Sequence, residues 1–316
     1  MILPCNSATN YPTQHEHYPA YWPASKMMPV STFSIVAFDS KDMAWGIAVA
    51  SKFPGVGAVV PWAEAGAGAV ATQSYANTSY GPEGLTLMRS GLSAQETLEK
   101  LLADDEDKEL RQVGLVNASG ETASFTGSKC VPWAGGKVGN NYAVQGNILT
   151  GEETIAAMAE KYESSKGNLP NRLFAALLAG DRAGGDKRGR QSAAIYVVQA
   201  EAGYGGYNDR WFDSRVDDHD DPVPRLGELI EMQELYFGNS PDVEKLAIAG
   251  SIAHDLQSMM QRLGYYDGAL NGIYDDTTRA ALRIFIGNEN FEDRTDFDEG
   301  LIDKPTFEYL RKKFYD

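Results

Sequence analysis

TFSIVAFDSKDMAWGIAVASK, residues 32–52, is the stretch that decides the fold. Two apolar, β-favouring segments, 32–37 and 44–50, flank the polar residues DSKD, which are typical of a turn. The pattern therefore predicts a β-hairpin. Thr32 opens the first strand and Lys52 follows the second, so the hairpin brings a hydroxyl and an ammonium group to the same end. A threonine hydroxyl becomes a nucleophile when a neighbouring amine accepts its proton.

Beyond the hairpin, strand and helix patterns alternate in groups along the chain. Short apolar segments predict strands over residues 56–62, 65–72, 112–116, 122–126, 142–149 and 191–198. Apolar periodicity and helix-start signals predict helices over residues 82–88, 93–103, 152–163, 170–179 and 226–237. This order predicts an α+β domain in which stacked sheets are covered by helices.

The composition is that of an acidic globular protein. The chain has 316 residues and a net charge of -16, which argues against nucleic acid or an anionic membrane surface as a partner. We expect no transmembrane helix, because no run of about 18 apolar residues occurs, and the N-terminus lacks the layout of a signal peptide. The two cysteines, Cys5 and Cys130, fit a reducing compartment, and no disulfide is expected between them. We therefore predict a cytoplasmic protein.

Changes in composition divide the chain into four segments. Residues 1–31, rich in Pro, Tyr, His, Asn and Ser, predict a flexible tail, or an upstream extension if the natural start is Met27 or Met28. The predicted α+β domain follows over 32–222, then a linker helix over 223–250 and a small all-α domain over 251–316.

Three motifs in the last segment carry a resemblance. They are LQ at 256–257, LGYYDG at 263–268 and NGIYDDTTRAAL at 271–282. This segment resembles the peptidoglycan-binding modules of bacterial proteins, which implies a three-helix domain that binds cell-wall glycopeptide. The alternative is a docking or dimerisation domain that has kept only the scaffold.

Longer motifs carry a second resemblance over residues 32–222. These are TFSIVA at 32–37, GIAVASKF at 46–53, AVATQSYAN at 69–77, FTGSKCVPWAG at 125–135, AVQGNIL at 143–149, GGDKRGRQSAA at 184–194 and YGGYNDRW at 204–211. The segment resembles an uncharacterised bacterial family classed with the N-terminal-nucleophile (Ntn) hydrolases. The resemblance implies a four-layer αββα sandwich, but no known substrate.

The superfamily mechanism implies a catalytic role for three residues. Thr32 would be the nucleophile and its own free amine the base, which requires that the chain begin at this residue. Lys52 would lower the pKa of that amine by like-charge repulsion, and Asn147 would donate to the oxyanion. The chain as written does not begin at Thr32, and cleavage at Met28 would still leave the three residues 29–31 in front of it. The alternative is that Thr32 is an ordinary β-branched residue opening a strand.

Two polar segments are candidates for substrate binding. In the loop GGDKRGRQ at 184–191, Asp186, Arg188 and Arg190 could hold a substrate carboxylate or phosphate, or form a salt-bridged turn. The polar residues that follow a predicted core strand either line a pocket or cap a turn; they are Gln73, Ser74, Tyr75 and Asn77.

The remaining reactive residue types predict no cofactor or metal site. Cys130 lies far in sequence from any histidine and is interpreted as a buried, inert thiol. The acidic segment 217–221 lacks the spacing and the glycine of a calcium loop, so we interpret it as a solvated linker. No phosphate-loop, dinucleotide or zinc spacing occurs.

Three hypotheses of function follow. The first is a hydrolase acting on a small amide or peptide. The second is a non-catalytic protein whose C-terminal module binds peptidoglycan fragments or another glycan or peptide. The third is a homo-oligomeric scaffold that uses the same fold without chemistry.

Overall fold

The computed structural model describes Val30, residues 32–238 and residues 243–315. Apart from Val30, the predicted tail lies outside the described residues, and so do Cys5 and the alternative starts. The protein is a mixed α/β molecule with helices and three antiparallel sheets. No helix in the described ranges has the length and apolar character needed to cross a membrane.

Among the described residues before 239 there are ten strands and five α-helices. The strands are β1 (Thr32–Asp39), β2 (Ala44–Ser51), β3 (Pro61–Glu64), β4 (Gly68–Ser74), β5 (Arg111–Asn117), β6 (Thr122–Thr126), β7 (Gly135–Gly139), β8 (Tyr142–Gly146), β9 (Ser192–Gln199) and β10 (Arg210–Val216). The helices are α1 (Tyr80–Arg89), α2 (Ala94–Ala103), α3 (Glu153–Ser164), α4 (Leu169–Arg182) and α5 (Pro222–Phe237).

The predicted hairpin is confirmed and lies at the centre of the larger sheet. β1 and β2 pair antiparallel with Thr32 opposite Ser51, and the sheet has the strand order β10-β9-β2-β1-β8-β7. Both faces of β1 are buried, which explains its apolar sequence. Phe33 and Ile35 belong to the core formed with α3 and α4, whereas Val36 and Phe38 belong to the core shared with the other sheet.

The second sheet has the order β3-β4-β5-β6. Its inner face packs on β1, β2 and β8, and its outer face packs on α1 and α2. The predicted capping box begins α2 as expected: the Ser93 hydroxyl accepts from Glu96 N, and the Glu96 carboxylate accepts from Ser93 N. α5 packs beside α4 and then leads to the C-terminal unit.

Three details of the predicted secondary structure are wrong. Val56–Ala58 forms a 3-10 turn rather than the start of a strand, after Gly55 in the left-handed region at φ 61°. β7 was not predicted because its glycines hide the pattern. β10 was not predicted because the charged residues Arg210, Asp213 and Arg215 interrupt its apolar pattern, and a strand at the edge of a sheet tolerates such side chains.

The C-terminal unit was expected to be all-α, but it is not purely helical. Besides α6 (Ser251–Arg262), α7 (Asp276–Asn288) and α8 (Lys304–Phe314), it contains a three-stranded antiparallel sheet. Its strands are β11 (Lys245–Ala247), β12 (Thr295–Asp296) and β13 (Leu301–Asp303). Strands of two or three residues are too short to show a period of two in the sequence.

Candidate functional site

One end of the core between the two sheets is polar. Eight side chains lie there with at most 2% of their surface exposed: Thr32, Ser34, Ser51, Gln73, Gln112, Gln145, Asn147 and Ser192. The other end of the same core is apolar, with residues such as Val36, Ile47 and Val116. Burying so many polar groups is costly unless they are hydrogen-bonded. These side chains therefore require hydrogen-bond partners, which the apolar residues at the other end do not.

Thr32 is completely buried beneath the chain that precedes it. Its Oγ1 donates to Val30 O at 2.8 Å and lies 3.4 Å from Ser51 Oγ. Val30 is held in place by two backbone bonds to Ser74, one in each direction, at 2.6 and 3.1 Å. Val30 is therefore anchored on β4, and its carbonyl oxygen accepts the hydrogen bond of the Thr32 hydroxyl.

The backbone of Thr32 is fixed by two of the predicted site residues. Its carbonyl oxygen accepts from Asn147 N at 3.0 Å and from Gln73 Nε2 at 3.3 Å. Both side chains converge on Gln112 Oε1, to which Gln73 Nε2 donates at 2.8 Å and Asn147 Nδ2 at 2.9 Å. The structure thus brings Thr32, Gln73 and Asn147 together, with Gln112 between the two amides.

A second branch of this network runs through Ser34. Its hydroxyl donates to Gln73 Oε1 at 2.6 Å and accepts from Gln145 Nε2 at 2.7 Å. Gly114 makes room for this arrangement, since a Cβ there would lie 2.0 Å from Gln145 Oε1. Within the described part of the chain, Gln145 Oε1 and Asn147 Oδ1 have no hydrogen-bond partner.

A cavity of about 340 Å³ opens next to Ser51. Phe33 and Ala50 contribute the rest of its sheet wall, and the remaining residues come from the end of α4, the loop 184–191 and the start of α5. These remaining lining residues are Asp181, Arg182, Gly184, Asp186, Gly189, Arg190, Asp220 and Pro222. Ser51 lines this cavity and its Oγ also lies 3.4 Å from Thr32 Oγ1, so Ser51 is common to the cavity and the buried cluster.

The two arginines of the loop are engaged with aspartates. Arg188 Nη2 lies 2.8 Å from Asp186 Oδ2, and Arg190 Nε lies 2.8 Å from Asp181 Oδ1. The acceptor carboxylate raises the pKa of Arg190. The loop therefore has the form of the salt-bridged turn that the sequence left open, and a substrate carboxylate would have to compete with these aspartates.

Lys52 joins the same loop rather than the amide cluster. Its Nζ donates to Arg190 O at 3.1 Å, and its backbone N donates to Asp186 Oδ2 at 3.0 Å. Its ammonium group is exposed, at the end of the hairpin that contacts the loop 184–191.

The four residues 73, 74, 75 and 77 do not line one pocket. Gln73 belongs to the Thr32 cluster and Ser74, at φ 67°, pairs with Val30. Tyr75 O accepts from Arg111 Nη1, and Asn77 donates to Asp105 while its own Oδ1 accepts from Ser79 N at the start of α1. Asn77 therefore caps a turn, the alternative the sequence had offered.

The Asp105 carboxylate is the common acceptor of a second polar cluster, which includes Asn77. It accepts from Arg111 Nε at 2.9 Å and from Tyr80 Oη at 2.7 Å. Burial opposes its charged form, but the hydrogen bonds from Arg111 and Tyr80 outweigh burial and hold the pKa of Asp105 well below its ordinary value. The same burial and the neighbouring carboxylate raise the pKa of Tyr80. This ion pair ties the start of β5 to α1.

Cys130 and the acidic segment 217–221 both make hydrogen bonds within the fold. Cys130 is 7% exposed, its Sγ donates to Arg111 O at 3.3 Å, and burial raises the pKa of its thiol. In the acidic segment, His219 Nδ1 accepts from Asp221 N, and Asp218 Oδ1 accepts from Gln191 Nε2.

Sequence reasoning missed Ser34, Gln112 and Gln145. All three are polar residues inside otherwise apolar strands, and each shares its strand face with another polar residue or with the inter-sheet core. Alternation by two would have found two of them, because Ser34 is two residues after Thr32 and Gln145 is two before Asn147. Their convergence depends on strand order, which the sequence pattern does not reveal.

In the C-terminal unit the motif residue Gln257 has a structural role. Gln257 is fully buried; its Nε2 donates to Asn271 Oδ1, Ile273 O and Thr278 Oγ1, and its Oε1 accepts from Gly272 N. One amide therefore fixes the loop between α6 and α7.

Comparisons with known proteins match both parts of the chain. Residues 32–226 match the family described as "Family of unknown function (DUF1028)", and residues 236–310 match "Putative peptidoglycan binding domain". No curated protein matches the chain.

The solved structures that are similar to it include the following two. A Silicibacter pomeroyi protein assigned to DUF1028 is 29% identical, with a TM-score of 0.59 over 65% of this chain and 89% of that chain. Anbu (ancestral beta-subunit) from Yersinia bercovieri is 11% identical, with a TM-score of 0.30 over 67% and 99% of the two chains. Since the first family match spans more than half of the chain, the protein belongs to the DUF1028 family of unknown function.

Proposed function

We propose that residues 32–222 form an N-terminal-nucleophile hydrolase domain, a four-layer αββα sandwich, that is inactive while residues precede Thr32. The observation that carries the proposal is the position of the Thr32 hydroxyl. It lies at the polar end of the inter-sheet core, 3.4 Å from the hydroxyl of Ser51, a residue that also lines a cavity.

The present contacts explain why the uncleaved chain would be inactive. Thr32 Oγ1 is completely buried and donates to Val30 O, so its proton is directed away from any base. A secondary amide nitrogen at position 32 cannot accept that proton. Removal of the upstream residues would free both the hydroxyl and an α-amine with a pKa near 8, close enough to neutral pH to act as a base.

The proposed reaction is hydrolysis of a small amide or peptide. Thr32 Oγ1 adds to the amide carbonyl, its proton passes through the α-amine to the leaving amine, and water then hydrolyses the resulting ester. Asn147 is the candidate oxyanion donor, a role in which its Nδ2 would exchange Gln112 Oε1 for the substrate. The charge of Lys52 near this end would lower the pKa of the α-amine.

The charged residues that line the cavity would suit a substrate that carries polar groups. Asp186 and Arg190 line it, and Arg188 is bound to Asp186. Gln73 would hold the Thr32 backbone during the reaction through its bond to Thr32 O, and Ser74 would release Val30. Tyr75 and Asn77 support this region only indirectly, through Arg111 and Asp105.

The test is whether a chain that begins at Thr32 has activity. Intact mass and N-terminal sequencing of protein purified from cells would show whether such a chain forms. Independently, a variant with Met directly before Thr32 would expose Thr32 when the initiator Met is removed. We expect this form to hydrolyse a panel of acyl p-nitroanilides, Thr32→Ser to keep part of the rate, and Thr32→Val to lose it. Equal rates for Thr32→Val and the parent form would contradict the proposal.

A second function is favoured by the match over residues 236–310. We infer that this unit binds peptidoglycan. The full chain should sediment with purified, insoluble peptidoglycan, and a chain lacking residues 251–316 should not. Equal retention of both chains would remove this unit from the explanation.

A further inference from the structure

Two tyrosines stand almost fully in solvent on the loop between β9 and β10. Tyr204 is 84% exposed and Tyr207 is 92% exposed. Phe237, at the end of α5, is 64% exposed, and its ring meets that of Tyr204 edge to face with 6.5 Å between centroids. Packing of the fold therefore does not account for either tyrosine, and exposed groups of aromatic rings are characteristic of binding surfaces.

The loop that presents these rings is well defined. Gly203 N donates to Asn208 O at 2.7 Å, and Gly206 N donates to Gly203 O at 2.8 Å. Gly205 and Gly206 have φ values of 68° and 76°, which side-chain-bearing residues rarely adopt. The two glycines thus allow a tight turn, with one exposed tyrosine before it and one after it.

We propose that Tyr204, Tyr207 and Phe237 form an aromatic platform that stacks on the sugar rings of a glycan strand of the peptidoglycan type. The inference rests on the proposed binding function of residues 236–310 and extends that site onto the N-terminal domain. Phe237 belongs to the matched segment, whereas Tyr204 and Tyr207 belong to the DUF1028 domain. The platform is therefore continuous with the C-terminal unit across the domain boundary.

The chemistry around the rings favours a glycan over an apolar protein surface. A hexose ring in a β-linked strand offers C–H groups on its faces and hydroxyl or acetamido groups around its edge. The aromatic faces suit the C–H groups, since they carry the negative side of the ring quadrupole. Asn208 and Arg210, close to the tyrosines in the chain, supply polar partners for the edge. The Arg210 side chain is 61% exposed. Tyrosine also loses little conformational entropy when it is immobilised.

The experiment compares full-length variants for retention on purified peptidoglycan and for titration with N-acetylglucosamine hexamer. The test variant is Tyr204→Ala/Tyr207→Ala. The conservative variant, Tyr204→Trp/Tyr207→Trp, keeps aromatic faces. Val138→Ala is the matched control, because Val138 is 48% exposed on β7 and its loss removes exposed apolar surface elsewhere on the same domain.

We expect the double alanine variant to weaken retention at least tenfold, and the tryptophan variant and Val138→Ala to bind as the parent protein does. Parent protein that fails to bind peptidoglycan would contradict the proposed binding function itself. Parent protein that binds, with an equally retained double alanine variant, would overturn only the platform. A double alanine variant that loses self-association in sedimentation velocity while keeping glycan retention would assign the rings to contact with a second copy, which also overturns the inference.

Discussion

Replacing Ser34 by alanine should destabilise the N-terminal domain far more than the loss of one hydroxyl suggests. Ser34 Oγ links two buried glutamines, donating to Gln73 Oε1 and accepting from Gln145 Nε2. Gln145 Oε1 already has no hydrogen-bond partner in the described chain, so the substitution would leave the whole Gln145 amide unpaired. Each buried polar group left unsatisfied costs about 1–3 kcal/mol. Since the buried hydroxyl itself is also removed, we expect a loss of about 2–4 kcal/mol.

Tryptophan fluorescence measures this loss in the correct domain. The five tryptophans all precede residue 212, and Trp45 lies in the inter-sheet core with its ring 5.0 Å from that of Phe38. Urea unfolding followed by this signal therefore reports the N-terminal domain. Ser40→Ala, in the exposed turn of the same hairpin, is the matched control and should change the free energy of unfolding by no more than about 0.5 kcal/mol.

A double-mutant cycle separates the network from simple loss of volume. Gln145→Met removes the amide that Ser34→Ala would leave unpaired, so the double variant should lose less stability than the two single variants added together. A loss below about 0.5 kcal/mol for Ser34→Ala, or strict additivity in the cycle, would refute the account of these residues as a coupled buried network.

Three further predictions concern other parts of the molecule. Gly114→Ala should cost about 1–3 kcal/mol by overpacking against Gln145, and wild-type stability in urea unfolding would contradict this close contact. Because hydrogen bonds hold the pKa of Asp105 below its unfolded value of about 3.9, the carboxylate stabilises the folded protein above about pH 4. This contribution is lost as the pH falls towards the depressed pKa, so thermal unfolding of Asp105→Asn should depend less on pH between about 2 and 5; parallel profiles would argue against it. Gln257→Ala should lower the unfolding temperature of the C-terminal unit in calorimetry by leaving its loop unpaired, while Gln261→Ala, exposed on the same helix, should not. Equal effects of the two would show that the loop does not depend on Gln257.

The sequence predicted strands better than it predicted where their polar residues meet. The β1–β2 hairpin and the α2 capping box follow from local rules of turn and cap chemistry, which require no knowledge of distant residues. Gln73 and Asn147 could be named as candidates, but their shared partner Gln112 lies 35 or more residues from each. Tyr75 and Asn77 were grouped with Gln73 because they are close in sequence, although the chain turns towards α1 there, where Tyr75 bonds to Arg111 and Asn77 to Asp105.

The position of Val30 links the fold to the question of function. A hydroxyl that donates to a carbonyl two residues upstream and has no exposed surface cannot reach a substrate, however well its neighbours are arranged. The same carbonyl is fastened to β4 through Ser74, so the cover depends on residues in front of Thr32 and not on a movement of the sheets. An unmodified chain should therefore behave as a binding protein, while the polar cluster beneath Val30 becomes available only if the chain begins at Thr32. On the proposed function, hydrolysis and binding would belong to two covalent forms of one protein, and the identity of its first residue would distinguish them.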